Sequence, residues 1–146
     1  MKKHNLLNIL ADKISNPAEI NICLPEKDIR IEEAAFRLKK IGINIIANDD
    51  INDDNIIIDP IDYPFLKNWS QENIDDFFKS KFVRSLVLLR DNHLDGVVCG
   101  CTMKTADVIR NSIRIIGVAP HAKWISSMFL MAELSSSQFY TFADCA

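Results

Sequence analysis

No stretch of this sequence approaches the roughly 18 consecutive apolar residues that a membrane-spanning helix requires. There is no basic block either. The 17 Lys and Arg are scattered among 20 Asp and Glu, for a net charge of -3, so nothing in the charge pattern recruits a nucleic-acid backbone or an anionic membrane surface. The opening residues, MKKHNLLNILADKI, carry two lysines and several leucines, but Asn8 and Asp12 interrupt them before a secretory core develops. A cytoplasmic location is the expectation. Without an export signal, the four cysteines, Cys23, Cys99, Cys101 and Cys145, read as reduced thiols in apolar segments, not as a disulfide framework. Internal repeats, dividing linkers and low-complexity tracts beyond one short Asn/Asp stretch are missing too, which excludes repeat arrays and leaves a single domain over residues 1–146.

What is present is enough to build a core: 146 residues, 48% of them apolar, with mean hydropathy near zero. Leu6, Leu7, Leu10 and Ile14 recur at helical spacing before Asn16-Pro17. The run INICLP, closed by Pro25, reads as a strand. In DIRIEEAAFRLKKIG the stripe Ile31, Ala34, Ala35, Leu38 and Ile41 predicts a helix stopped by Gly42, with Glu33 four residues before Arg37 for support. INIIA and IIIDP read as further buried strands, separated by the polar turn region NDDINDDN. Ile74, Phe78, Phe82, Leu86 and Leu89 predict one long helix ending near Asn92. LDGVVCG reads as a strand of six residues or fewer, and TADVIRNSIRIIG as a helix with Ala106, Ile109, Ile113 and Ile116 inward and Gly117 as its stop. Two apolar runs after Pro120, WISSMFLMAE and QFYTFADCA, read as strands. Helices alternating with nearly continuous apolar strands predict the α/β class, with a mostly parallel sheet flanked by helices.

The stretch DGVVCGCTMKTADVIR, Asp95 to Arg110, carries the chemistry. A strand entering a glycine-containing turn and then a helix presents free backbone N–H groups and the positive end of the helix dipole at one place, where anions bind. Gly100 permits the turn, Thr102, Lys104 and Thr105 add hydroxyl and ammonium donors, and Arg110 lies at the rim of the core beside Asp107 and Arg114. The candidate anion-binding residues are therefore Thr102, Lys104, Thr105 and Arg110. The same residues also suit an ordinary helix start in which Arg110 pairs with Asp107. Cys99 and Cys101 could form half of a metal site, but companion ligands at the usual spacing are missing and no metal is expected. The base and electropositive niche that a nucleophilic thiol needs are not displayed in the sequence, so neither reads as a nucleophile.

LDGVVCGCTMKTADVIRNSIRIIGVAP closely resembles the phosphate acetyltransferase family, also called the phosphate acetyl/butyryl transferases, in its Asp-Gly-x-Val-x-Gly segment and its Thr/Ser-Ala-Asp-x-Leu/Ile-Arg motif. Three further pieces match in order: ICLPEKDIRIEEAA, SSMFLM and FADCA. The resemblance implies a two-domain α/β enzyme with a fold similar to the isocitrate and isopropylmalate dehydrogenases, usually dimeric, in which phosphate attacks the thioester of acetyl-CoA to give acetyl phosphate and coenzyme A. Phosphate and coenzyme A are then the substrates, and no cofactor is implied. Arg110 aligns with the family's substrate-binding arginine, Thr102, Lys104 and Thr105 with its Thr/Ser-rich turn, and Cys145 with a cysteine often near the cleft.

The departures narrow this expectation. The Arg-Lys-x-Lys-Gly type motif is missing between Tyr63 and Leu94, Met103 stands where a His is common, and Asn111 replaces the Pro after the motif arginine. The family's catalytic Ser, Arg and Asp belong to the second half of its pattern, so no catalytic residue is assigned and all are expected beyond Ala146. The expectation is the N-terminal part of a phosphate acetyltransferase, cut at the start of the second domain and inactive alone. The partners expected are a complementing C-terminal half or a second copy in a homodimer. The alternative is a non-catalytic remnant that keeps an anion site.

Overall fold

The structure, a computed structural model, describes residues 13–51, 58–133 and 138–143. They fall into two compact units, one spanning Pro17–Gly117 and the other formed by Val118 onward with the residues that precede Pro17.

The first unit is built on a three-stranded parallel sheet. Strand β1 (Asn21–Leu24) lies in the centre, pairing on one side with β2 (Asn44–Ala47) and on the other with β3 (Gly96–Val97). Helix α1 (Ile29–Lys40) connects β1 to β2. Asp28 caps it, accepting from Arg30 N at 2.9 Å, and Gly42 at φ +92 closes the connection in a conformation that disfavours L side chains. Between β2 and β3 come α2 (Gln71–Lys79) and α3 (Lys81–Arg90), and β3 is followed by α4 (Thr105–Ile115). Alternation of strand and helix thus produces the α/β class with a parallel sheet that the apolar patterning predicts.

Ile74, Phe78, Phe82 and Leu86 do lie on one buried stripe, but on two helices. Ser80 adopts an extended ψ of 120, ends α2 and caps α3, with its Oγ accepting from Val83 N at 3.4 Å. A serine oxygen competes well for amides at a helix start, so one residue breaks a helix without disturbing the spacing of its apolar neighbours. The principal core gathers around these helices: Tyr63, Leu66, Phe78, Val83, Val87 and Ile115 are all buried. A second core cluster joins Cys23, Ile51 and Leu94.

Three further expectations are corrected. The inward face of α4 carries Ile115 and Val108, whereas Ile109, Ile113 and Ile116 remain 42–44% exposed, because the helix meets α3 through the other stripe. Ile58 and Asp59 do not extend a strand, and Pro60 opens a short 3₁₀ turn capped by Asp59; Ile56 and Ile57 lie outside the described residues. The last two runs form an antiparallel pair, β4 (Met128–Glu133) with β5 (Gln138–Ala143), not additional parallel strands. They are consecutive and closely spaced, too close for the crossover that parallel pairing needs. Leu6, Leu7, Leu10 and Cys145 lie outside the described residues, and Ile14 is not helical. No described helix is long and apolar enough to cross a membrane.

Candidate functional site

The strand order β2-β1-β3 means that the chain leaves β1 toward one neighbour and later returns to its other side. At such a reversal the loops following the two adjacent strands diverge and leave a crevice outside their carboxyl ends, the usual ligand position in open α/β sheets. Here the two loops are Pro25–Asp28 after β1 and Val98–Lys104 after β3, which is the segment singled out by its residue types.

The two loops are joined by one carboxylate. Glu26 is only 7% exposed, and both of its oxygens are fully engaged. Oε2 accepts from Gly100 N at 2.7 Å and Cys101 N at 2.9 Å; Oε1 accepts from Thr102 N at 2.7 Å, Thr102 Oγ1 at 2.6 Å and Met103 N at 2.8 Å. Burial pushes this carboxyl up, but the Thr102 hydroxyl and the amides of Thr102, Cys101 and Met103 outweigh it and hold the pKa down to about 2. Four successive amides converge because Gly100 takes φ +98. The space around its Cα is open, so glycine is required by backbone conformation and not by crowding.

The turn leads directly into α4. Lys104 occupies the N-cap with an extended backbone, its carbonyl accepting from Asp107 N and Val108 N, and its exposed side chain makes no cap. Thr105 is the first helical residue and is also exposed. Arg110 lies more than a turn further on, where its Nη1 donates to Asp107 Oδ1 at 2.7 Å. Of the four residues expected from sequence, Thr102, Lys104 and Thr105 therefore lie within four positions at the helix start. Thr102 is committed to Glu26, and Arg110 is held by Asp107.

A second charged group reaches the same turn from α1. Arg30 Nε and Nη2 donate to Asp28 Oδ1 and Oδ2 at 2.7 and 2.9 Å, and Nη2 approaches the Cys101 carbonyl at 3.5 Å. The fork of hydrogen bonds from Arg30 holds the Asp28 carboxyl down to about 2 and raises the guanidinium. Neither Glu26 nor Arg30 is among the residues the sequence reading selects. The available signal was the acidic residue two positions after β1, ahead of the Asp28 cap. A groove of about 410 Å³ opens beside Glu26, bounded by Leu24, Lys27, Ile31, Phe36 and Asn48.

The thiols divide by environment. Cys23 is fully buried in the sheet, and burial pushes its pKa up to about 11 against the opposing effect of the neighbouring Ser85 hydroxyl. Cys99 is half-buried and shifted up for the same reason, while Cys101 is exposed. A thiol held protonated is a poor nucleophile. Among the described residues, no group of three or more His, Cys, Asp or Glu is placed to hold a metal ion.

A parallel sheet with a strand–turn–helix at its reversal defines an α/β protein. Comparison with known proteins narrows the class. The profile of the phosphate acetyl/butaryl transferase family matches residues 8–146, and the chain belongs to that family. It is 33% identical over 110 residues to the phosphate acetyltransferase of Buchnera aphidicola, an alignment covering 72% of this chain and 15% of that protein. It is 31% identical over 84 residues to the phosphate acetyltransferase of Thermoanaerobacterium thermosaccharolyticum, covering 55% of this chain and 26% of the relative. The crystal structure of a phosphotransacetylase from Streptococcus pyogenes superposes with a TM-score of 0.70 at 26% identity, over 100% of this chain and 52% of that one. The chain thus spans about half of the solved relative and a smaller share of the two sequence relatives.

Proposed function

We propose that this chain supplies the phosphate-handling half of an acetyl transfer between coenzyme A and inorganic phosphate. A phosphate oxygen attacks the thioester carbonyl, the C–S bond breaks, and the coenzyme A thiolate leaves as acetyl phosphate forms. Such a reaction needs its anionic nucleophile held in place, the carbonyl oxygen stabilised and the thiolate helped to depart. Family membership with the strand–turn–helix at the sheet's reversal supports this assignment.

On this reading the Lys104 ammonium and Thr105 hydroxyl meet phosphate, or a phosphate group of coenzyme A, at the positive end of α4. Arg110 exchanges Asp107 for the substrate's anionic oxygens, and Thr102 holds the turn in shape. The groups for acid-base catalysis and thiolate departure lie in the remaining length that the relatives possess, supplied by a complementing segment in a cytoplasmic complex. Residues 1–146 then correspond to the N-terminal α/β domain of an isocitrate dehydrogenase-like architecture.

Two measurements test the proposal. Inorganic phosphate titrated into the labelled chain is expected to shift amide signals from Lys104 through Arg110, and the Arg110→Ala variant to lose that response; shifts centred elsewhere would overturn the site. Mixed with acetyl phosphate and coenzyme A, the chain alone is expected to form no thioester above background, because general acid-base help by itself is typically worth about 10² to 10⁴ in rate. Turnover that Arg110→Ala abolishes would show instead that the catalytic groups lie within these 146 residues.

A further inference from the structure

The donors that make the turn attractive to an anion are already spent. All four amides from Gly100 to Met103 and the Thr102 hydroxyl point at Glu26, at distances of 2.6–2.9 Å. Successive amides of this kind form an anion-binding concavity, and the carboxylate within it is tethered two residues beyond the end of β1. A tethered ligand competes at an effective concentration that free phosphate does not match. A phosphate approaching the same amides would also meet a buried like charge, at a cost that rises as water is excluded.

We propose that Glu26 is a positioning residue, the permanent internal anion of the Gly100–Met103 turn, which fixes the start of α4 and keeps those four amides closed to incoming phosphate. The proposal rests on the phosphate reading only for the identity of the incoming anion. It changes how that site works. The turn serves as a scaffold cross-linked to the loop after β1, and recognition of phosphate passes to the side chains that the scaffold presents, Lys104 and Thr105 at its edge and Arg110 further along the helix. Arg30, which approaches the Cys101 carbonyl from α1, ties the same two loops together a second time.

Amide chemical shifts and hydrogen exchange in the full chain test this. In the unsubstituted protein, millimolar inorganic phosphate should leave the Gly100–Met103 amides in place, even where signals from Lys104 to Arg110 move. In Glu26→Ala the four amides should lose the downfield positions typical of charge-assisted hydrogen bonds and exchange about tenfold faster or more. Sodium acetate, a free carboxylate, should restore them saturably. Glu26→Gln keeps one carbonyl acceptor and should retain protection at Thr102 and Met103 while losing it at Gly100 and Cys101, so the test stands if the alanine variant does not fold. Phosphate-dependent movement of the four amides in the unsubstituted protein would overturn the proposal, as would a Glu26→Ala protein whose amides are unchanged. Phosphate that moves no signal from Lys104 to Arg110 would defeat the phosphate reading alone, and the acetate arm would still decide the role of Glu26.

Discussion

The Glu26 carboxylate and the Thr102 hydroxyl meet at 2.6 Å across 76 positions of sequence, the shortest of the five hydrogen bonds that close the loop after β1 onto the turn before α4. Because the hydrogen bonds favour the ionised carboxylate, its pKa falls from an ordinary 4.5 to about 2 in the folded protein. A depressed carboxyl adds stability that is fully present above its unfolded value and is lost as the pH falls through the folded value. Thermal melts should therefore show the unsubstituted chain losing its advantage over Glu26→Gln between about pH 5 and pH 2. Asp28 titrates in the same window, so Asp28→Asn serves as the reference that isolates Glu26. A melting difference independent of pH would show that the carboxylate charge is not what the turn holds.

Thiol chemistry should follow burial. Under native conditions an alkylating reagent is expected to modify Cys101 well before Cys99, and to reach Cys23 only on unfolding, since Cys23 is fully buried with its thiol pushed up to about 11. Peptide mapping by mass spectrometry distinguishes the sites. Early labelling of Cys23 would mean that the parallel sheet opens readily.

Ser80 separates two helices with one side chain. Replacing it with alanine removes the oxygen that accepts from the Val83 amide at the start of α3, and should cost about 1 kcal/mol in denaturant unfolding. Ser80→Gly should cost only a few tenths. Equal losses in the two variants would argue against a capping role.

The Arg110–Asp107 pair should contribute little to folding. Its side chains are 55% and 45% exposed, and exposed pairs are typically worth about 0 to 1 kcal/mol. Arg110→Ala is expected to unfold within about 0.5 kcal/mol of the unsubstituted chain, so any loss of phosphate response in that variant reports on binding. A drop of several kcal/mol in a denaturant titration would place Arg110 in the core's support.

Local patterning made much of the framework legible. β1, α1 and β2 follow from a short apolar run, a period of 3.6 with Glu33 four residues before Arg37, and a glycine stop, signals that act within a few residues and need no distant partner. The strand–turn–helix around Gly100 was legible for the same reason. Its residue types pointed to an external anion, whereas the partner its amides meet in the fold is the chain's own Glu26 carboxylate.

What only the tertiary structure decided was which of several locally equivalent options each segment took. Ile74, Phe78, Phe82 and Leu86 keep helical spacing whether or not Ser80 interrupts them, because one residue in an extended conformation leaves the apolar period intact. Helix α4 has two stripes that could face inward, and contact with α3 selected Val108 and Ile115 over Ile109, Ile113 and Ile116. The pairing of β4 with β5 depended on chain connectivity, which apolar content does not encode. Glu26 was hidden most completely. Its five donors lie 74 to 77 residues away, and an isolated glutamate between a strand and a helix looks the same whether it faces water or a ring of amides. Only placing β1 beside β3 brings the charge and its donors together, and hydrogen-bond energy at that range is a property of the assembled sheet.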